Sequence, residues 1–272
     1  MKYKLLVCDF DGTLYTDDFK VTQNTINAVE KYKQAGGKFV IATGRLYQAI
    51  KPFAQLFNLT DEIITYQGSG VYDIKTDSII LSNEIENKLA IKLYQYMYNT
   101  YGEITSPILF YEDKCIVEEE NEYNKIFSQI VKVPLTCVNK KLDVYVADNN
   151  INARKILFLA DEKFIRHIIN DLINKFGDQL NVNQSSKALL ECVNIKASKA
   201  NAIKWIAERY NINQDEICAI GDSENDNSMI EYAGLGVAMG NAMEITKSVA
   251  DYICDTNNND GVAKFIEQVI LK

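Results

Sequence analysis

Asp9-Phe10-Asp11-Gly12-Thr13 follows directly on an apolar run, Leu5-Leu6-Val7-Cys8. Carboxylates that close repel one another, so a cation normally sits among them. Three other stretches carry groups that suit the same chemistry: Thr43-Gly44-Arg45, Lys199 in KASKANAI, and Asp222, Asn225 and Asp226 in GDSENDNSM. Asp9, Asp11 and Asp222 gathered on one rim require a hard divalent cation, and Mg²⁺ takes oxygen ligands while keeping several waters. A phosphate oxygen is the natural occupant of the positions that remain. Thr43 offers a hydroxyl and Lys199 a point charge, while Gly12 and Gly44 let backbone N–H groups come close. Residues of these types at these places suit phosphoryl transfer.

For the four stretches to meet, the chain must bring them to one edge of a sheet. The N-terminal part alternates strand and helix. Lys4–Cys8 and Lys38–Ala42 read as buried parallel strands, and Thr22–Ala35 as a helix stopped by Gly36-Gly37. A further helical stretch runs toward Phe57 with Pro52 inside it, and DEIITY and SGVYD read as strands. The C-terminal part repeats that grammar, with a helix over Lys199–Tyr210, a strand over Ile217–Ile220 and a helix over Asn225–Ala233. GLGVAM and DYICD then read as strands and DGVAKFIEQVI as a helix. This alternation predicts an α/β, doubly wound, mainly parallel Rossmann-like core, whose chemistry sits at the carboxyl ends of its strands.

The middle of the chain reads differently. Asn83–Tyr101 and Glu162–Phe176 pattern as helices, while PILFYED, KCIVEEE, DVYVA, KILFLAD and the pair QLNVNQ and ALLECV pattern as strands. Short turns between strands predict an antiparallel α+β domain, entered once and left once. The expected organisation is a core of residues 1–82 and 190–272 with an inserted domain at 83–189.

Composition narrows the function further. A net charge of −8 argues against nucleic acid or an anionic membrane as partner. With no signal-peptide layout and no apolar run of bilayer length, the reading is cytoplasmic. The six cysteines form no Cys-x-x-Cys pair and read as reduced, mostly buried thiols. His167 is the only histidine, which excludes a His-based metal cage or triad; it reads as a helix-surface residue. Glu118-Glu119-Glu120 reads as a solvated strand end. Nothing in the sequence speaks to oligomeric state.

Taken in order along nearly the whole chain, DFDGTL, IATGR, Lys199 and GDSENDNSM resemble the four motifs of the haloacid dehalogenase (HAD) superfamily. Within it, the Cof-like subfamily IIB phosphatases with a type C2B cap are most similar, and VAMGNAMEITKSVADYICDTNNNDGVAKFI is similar to their closing segment. The resemblance implies that Asp9 is the nucleophile and Asp11 the general acid and base. It implies that Mg²⁺ is bound by Asp9, the backbone carbonyl of Asp11, and Asp222, with Asp226 ligating or supporting from the outer shell. Thr43, Gly44, Lys199 and Asn225 would hold phosphate, and Phe10, Arg45, Gln67 and Gly68 are candidates for substrate contact. Two departures stand out: Gln67-Gly68-Ser69 where relatives often carry Asn-Gly-Ala, and Ala200 where glycine commonly follows the lysine. Both are expected to bear on substrate choice more than on reaction type.

The expected activity is Mg²⁺-dependent hydrolysis of a small phosphorylated metabolite, a sugar phosphate or similar monoester, through an aspartyl phosphate. A phosphosugar mutase of the same superfamily and a non-catalytic phosphometabolite-binding protein are the alternatives; release of phosphate without a bisphosphate activator separates them. The inserted domain would act as a lid, excluding water and setting specificity.

Overall fold

The computed structural model describes residues 1–272. The chain divides into two compact units, Met1–Gly44, Lys51–Ile80 and Ser198–Lys272 in one, Arg45–Ile50 and Leu81–Ala197 in the other. No helix is long and apolar enough to cross a membrane.

From the N-terminus the elements are β1 (Leu5–Asp9), α1 (Gln23–Gln34), β2 (Lys38–Ala42), α2 (Tyr47–Leu56), β3 (Glu62–Thr65), β4 (Gly70–Asp73) and β5 (Ser78–Ser82). All five residues of β1 are buried, as a central strand covered on both faces requires. Thr22 caps α1, its hydroxyl accepting from Thr25 N at 3.2 Å. Helix α2 continues through Pro52. The sequence reading missed β5, whose half-exposed SIILS lacks a clean alternation.

In the second unit come α3 (Asn87–Tyr101), β6 (Thr105–Tyr111), β7 (Lys114–Val117), α4 (Glu122–Val131), β8 (Leu135–Cys137), α5 (Leu142–Asp148), β9 (Lys155–Ala160), α6 (Glu162–Phe176), β10 (Leu180–Ser186) and β11 (Leu189–Asn194). The strands form a sheet ordered β10-β11-β9-β6-β7-β8, antiparallel except where β7 and β8 pair in parallel. Side chains of α3, α5 and α6, among them Leu93, Val146 and Ile168, meet Leu109, Ile156 and Phe158 of the sheet in one buried cluster. Three sequence expectations change here. DVYVA is part of a helix, because Leu142 and Val146, four apart, are buried while Val144 between them is 43% exposed. Asn83–Glu86 precede the helix rather than opening it. Position 190 is no boundary: β11 is hydrogen-bonded on both sides within the six-stranded sheet, and the second unit runs to Ala197. Helix α4 and strand β8 were not anticipated. His167 is exposed on α6, and the six cysteines are free thiols, Cys137 exposed and Cys254 half-buried.

The chain then returns to the first unit with α7 (Lys199–Tyr210), β12 (Ile217–Gly221), α8 (Asn227–Tyr232), β13 (Leu235–Ala238), α9 (Glu244–Ser248), β14 (Tyr252–Ile253) and α10 (Gly261–Phe265). Its sheet has the order β14-β13-β12-β1-β2-β3-β4-β5. From β14 to β3 all neighbours are parallel, and β4 returns antiparallel to β3. From β1 the chain first builds outward through β2 and β3, then comes back to place β12 on the other side of β1. Helix α1 packs with α10, and α7 with α8. Connections that leave two adjacent strands in opposite directions open a crevice at their carboxyl ends. Here those ends are Asp9 and Gly221, so the topology alone delivers Asp9-Phe10-Asp11 and Asp222-Ser223 to one place.

Candidate active site

Asp9, Asp222 and Asp226 lie at that crevice, each with one carboxylate oxygen within 4.8 Å of one from the other two. Asp9 is the last residue of β1, Asp222 the first after β12, and Asp226 ends a short 3-10 turn, Glu224–Asp226, before α8. Lys199 reaches them from the first turn of α7, which Ser198 caps by accepting from Asn201 N at 3.0 Å. Its Nζ lies 2.5 Å from Asp9 Oδ1 and 2.5 Å from Asp226 Oδ1, and all three side chains are almost completely buried.

Each carboxylate is held differently. Asp226 uses Oδ1 for Lys199 and Oδ2 for two backbone donors, Asp222 N at 3.0 Å and Ser223 N at 3.1 Å. Asp222 accepts from the Thr13 hydroxyl at 3.2 Å on Oδ1 and from the Ser223 hydroxyl at 3.0 Å on Oδ2. Lys199 engages Asp9 through Oδ1 alone. Gly12, in the left-handed region at φ +79°, lets the first loop lie against the Asp222 carboxylate; a Cβ there would stand 2.6 Å from Oδ2.

The electrostatics ask for more positive charge. Fully ionised, three carboxylates and one ammonium leave two negative charges in a nearly dry site. Burial, and then the charge of Asp226, hold Asp9 well above the ordinary carboxylate range even against Lys199. The same two causes push Asp222 up to about 7. Burial works against the Lys199 ammonium, yet Asp226 and Asp9 outweigh it and raise its pKa. An oxygen-only donor set short of two positive charges fits a hard divalent cation.

Of the other residues singled out in the sequence, Asn225 and Thr43 are on the same rim. Asn225 donates from Nδ2 to Gln67 Oε1 at 3.0 Å, and Thr43 takes the Gln67 N–H on its carbonyl at 3.1 Å. Gly44 lies against the Gln67 carboxamide, and Gly68 against the Ser198 carbonyl. Asp11 is exposed and stands outside the three-carboxylate group, which Asp226 completes instead. The Phe10 ring is fully buried against Tyr15 and Phe53, with centroids 4.9 and 4.6 Å away, and so lies in the core. Arg45, half-buried, falls in the second unit. Reading the sequence overlooked Thr13, Ser198 and Ser223 as site residues. Ser198 carried a usable signal, a serine immediately before a helical run.

Comparison with known proteins places the chain in a family. A family model of haloacid dehalogenase-like hydrolases matches residues 6–266. The chain is 29% identical over 272 residues to 5-amino-6-(5-phospho-D-ribitylamino)uracil phosphatase YcsE of Bacillus subtilis, covering 98% of this chain and 96% of that protein. Phosphatase YwpJ of the same organism is 28% identical over 285 residues, covering 98% of this chain and all of that protein. Among solved structures, a haloacid dehalogenase-like hydrolase from Bacteroides thetaiotaomicron superposes with a TM-score of 0.84 at 29% identity, covering 98% of this chain and 100% of the other. With the motif residues converging at the carboxyl ends of β1, β2 and β12, the chain belongs to the haloacid dehalogenase-like hydrolases, and to the phosphatases among them.

Proposed function

We propose that this phosphatase hydrolyses small phosphorylated metabolites, sugar phosphates or similar monoesters, by forming and breaking an aspartyl phosphate on Asp9. The observation that carries the reading is the buried Asp9–Lys199–Asp226 chain with Asp222 beside it. Mg²⁺ suits the donor set; Asp9 and Asp222 would hold it together with the backbone carbonyl of Asp11, and it would supply charge neutralisation for the phosphoryl oxygens. Asp226 serves from the outer shell, since both its oxygens already hold donors of the chain.

In this scheme Asp9 attacks phosphorus in line and the ester oxygen leaves. Lys199 fixes the attacking carboxylate and offsets negative charge on the phosphoryl group. Thr43, Gly44 and Asn225 orient the phosphoryl oxygens. Asp11, exposed and outside the three-carboxylate group, donates a proton to the departing alkoxide. It then takes a proton from the water that attacks the acyl phosphate, returning Asp9 as carboxylate and releasing inorganic phosphate. Exposure favours this role, because a group that exchanges protons with solvent and leaving group must reach both. The name of YcsE, a phosphatase of a ribityl phosphate, supports a polyol or sugar phosphate as substrate class.

The test is phosphate release from a panel of phosphorylated metabolites with Mg²⁺ and no bisphosphate activator, together with borohydride trapping of the acyl phosphate. Turnover of at least one sugar or polyol phosphate with label trapped at Asp9 is expected. Failure of the whole panel, or trapping at another residue, overturns the proposal.

A further inference from the structure

Strand β3 ends in a turn where three successive residues, Tyr66, Gln67 and Gly68, have φ of 51°, 58° and 90°. Two of the three are not glycine, and a non-glycine backbone persists in the left-handed region only where its surroundings hold it there. Gln67 and Gly68 touch the phosphate-handling loops. The Gln67 N–H donates to the Thr43 carbonyl at 3.1 Å. Its carboxamide nitrogen lies where Gly44 has no side chain; a Cβ on Gly44 would stand 2.5 Å from Gln67 Nε2. Its carboxamide oxygen accepts from Asn225 Nδ2 at 3.0 Å. Gly68 then presses on the cap of α7, with a Cβ position 2.1 Å from the Ser198 carbonyl, one residue before Lys199. Tyr66, Gln67 and Gly68 are all buried.

We infer that Gln67 is a positioning residue that ties the Thr43-Gly44 loop to Asn225, so that the groups meant for the phosphoryl oxygens arrive as one preformed cradle. The inference rests on the phosphatase reading above and adds a residue to it. The hydrogen bond from Asn225 is what fixes the plane of its amide: Asn225 Oδ1 is buried with no partner, so the grip on that side chain comes through Nδ2. Without Gln67 the amide turns about its terminal torsion, and the cost falls on binding phosphate rather than on forming the metal site, whose carboxylates are held by Lys199, Thr13, Ser223 and backbone. This places the departure from the common Asn at position 67 with phosphate positioning, and away from the leaving group.

Two variants test it together. Q67M keeps the bulk of the side chain and removes both hydrogen-bonding ends, while Q67G removes the bridge and suits the left-handed backbone, so a folding defect in one is controlled by the other. Both are expected to raise KM for p-nitrophenyl phosphate and the inhibition constant of inorganic phosphate about tenfold, the scale of one lost bridge. The turnover number and the Mg²⁺ concentration for half-maximal activity should stay within about threefold of the parent. Inhibition by phosphate unchanged in either variant overturns the inference, as does a fall in kcat with KM unmoved. A parent protein that releases no phosphate from any ester overturns the phosphatase reading instead. In that event calorimetric titration of parent and variants with inorganic phosphate still decides the bridge, which requires weaker binding in both.

Discussion

Asp226 accepts the Lys199 ammonium on one carboxylate oxygen and the backbone N–H groups of Asp222 and Ser223 on the other. One side chain thus fixes the lysine that faces the nucleophile and the loop that presents a second carboxylate. The two oxygens do separable work, which isosteric replacement can expose.

In D226N the amide oxygen can keep the two backbone donors, but the amide nitrogen then faces the Lys199 ammonium, donor against donor. Lys199 loses one of its two counter-charges and is displaced from the position it holds between Asp226 and Asp9. Activity is expected to fall about 10²-fold with the fold retained, as for loss of one preorganised charge partner. D226A strips the backbone donors as well, leaving buried N–H groups unpaired at roughly 1–3 kcal/mol. Steady-state kinetics and thermal melts of the pair check this; a D226N enzyme near parental activity would remove Asp226 from the lysine's control.

Replacing Asp9 by Asn should abolish turnover, because the amide matches the carboxylate in shape without being nucleophilic. Stability of the metal-free protein should hold or rise. Burial and the neighbouring carboxylates disfavour charge on Asp9, and Lys199 keeps Asp226 as partner. A D9N protein that melts well below the parent without divalent cation, or that retains phosphatase activity, contradicts the role given to Asp9.

Much of this was legible in residue order. The helices α6 and α7 were read to their end residues, since an apolar period of 3.6 begins just after Asp161 and Ser198, both of which cap. The sequence reading sets strand β1 one residue early, at Lys4–Cys8 against Leu5–Asp9, because Asp9 is polar yet belongs to the ladder through Ala42. Lys199 was placed at a helix start, but its partnership with Asp226 joins residues 27 apart and depends on β12 lying beside β1. Local pattern says nothing about strand order. Helix α5 was misread because Asp143–Ala147 also alternates, and five residues cannot separate periods of 2 and 3.6. The Gln67 bridge was invisible for a different reason: tyrosine and glutamine give no signal for a left-handed backbone, which here is imposed by contacts with distant loops.

Removing the divalent cation should stop the reaction. Activity in excess EDTA is expected to fall below about 1% of the parent level and to return with Mg²⁺, given the charge imbalance of the carboxylate group. Ca²⁺ should inhibit in competition with Mg²⁺, because six to eight ligands at longer distances disturb in-line geometry. Full activity in chelator would show that the three aspartates act without a metal.

The same carboxylates set how stability depends on pH. Asp222 titrates at about 7 and Asp9 is also raised, in both cases through burial first and the charge of Asp226 second. In the unfolded chain both return to the ordinary aspartate value near ~3.9. Between those limits the folded protein binds more protons than the unfolded one, so stability falls as pH rises. The stabilising protonation is complete below the unfolded value and is lost as pH climbs through the folded one. Exposed carboxylates such as Asp255 and Asp18 are shifted the other way, and their contribution is lost only in more acidic solution, outside this window. Metal-free protein should therefore melt lower at pH 8 than at pH 5, by roughly 5 °C or more. Mg²⁺ binds the deprotonated form, so it should raise the melting point more at pH 8 than at pH 5 and flatten the profile. The D222N variant, with one titrating group removed, should show a shallower decline in EDTA. Calorimetric melts across pH in EDTA and in Mg²⁺ settle the matter. A melting point that climbs from pH 5 to 8 without metal, or a Mg²⁺ effect equal at both, would mean that the cluster is not short of positive charge.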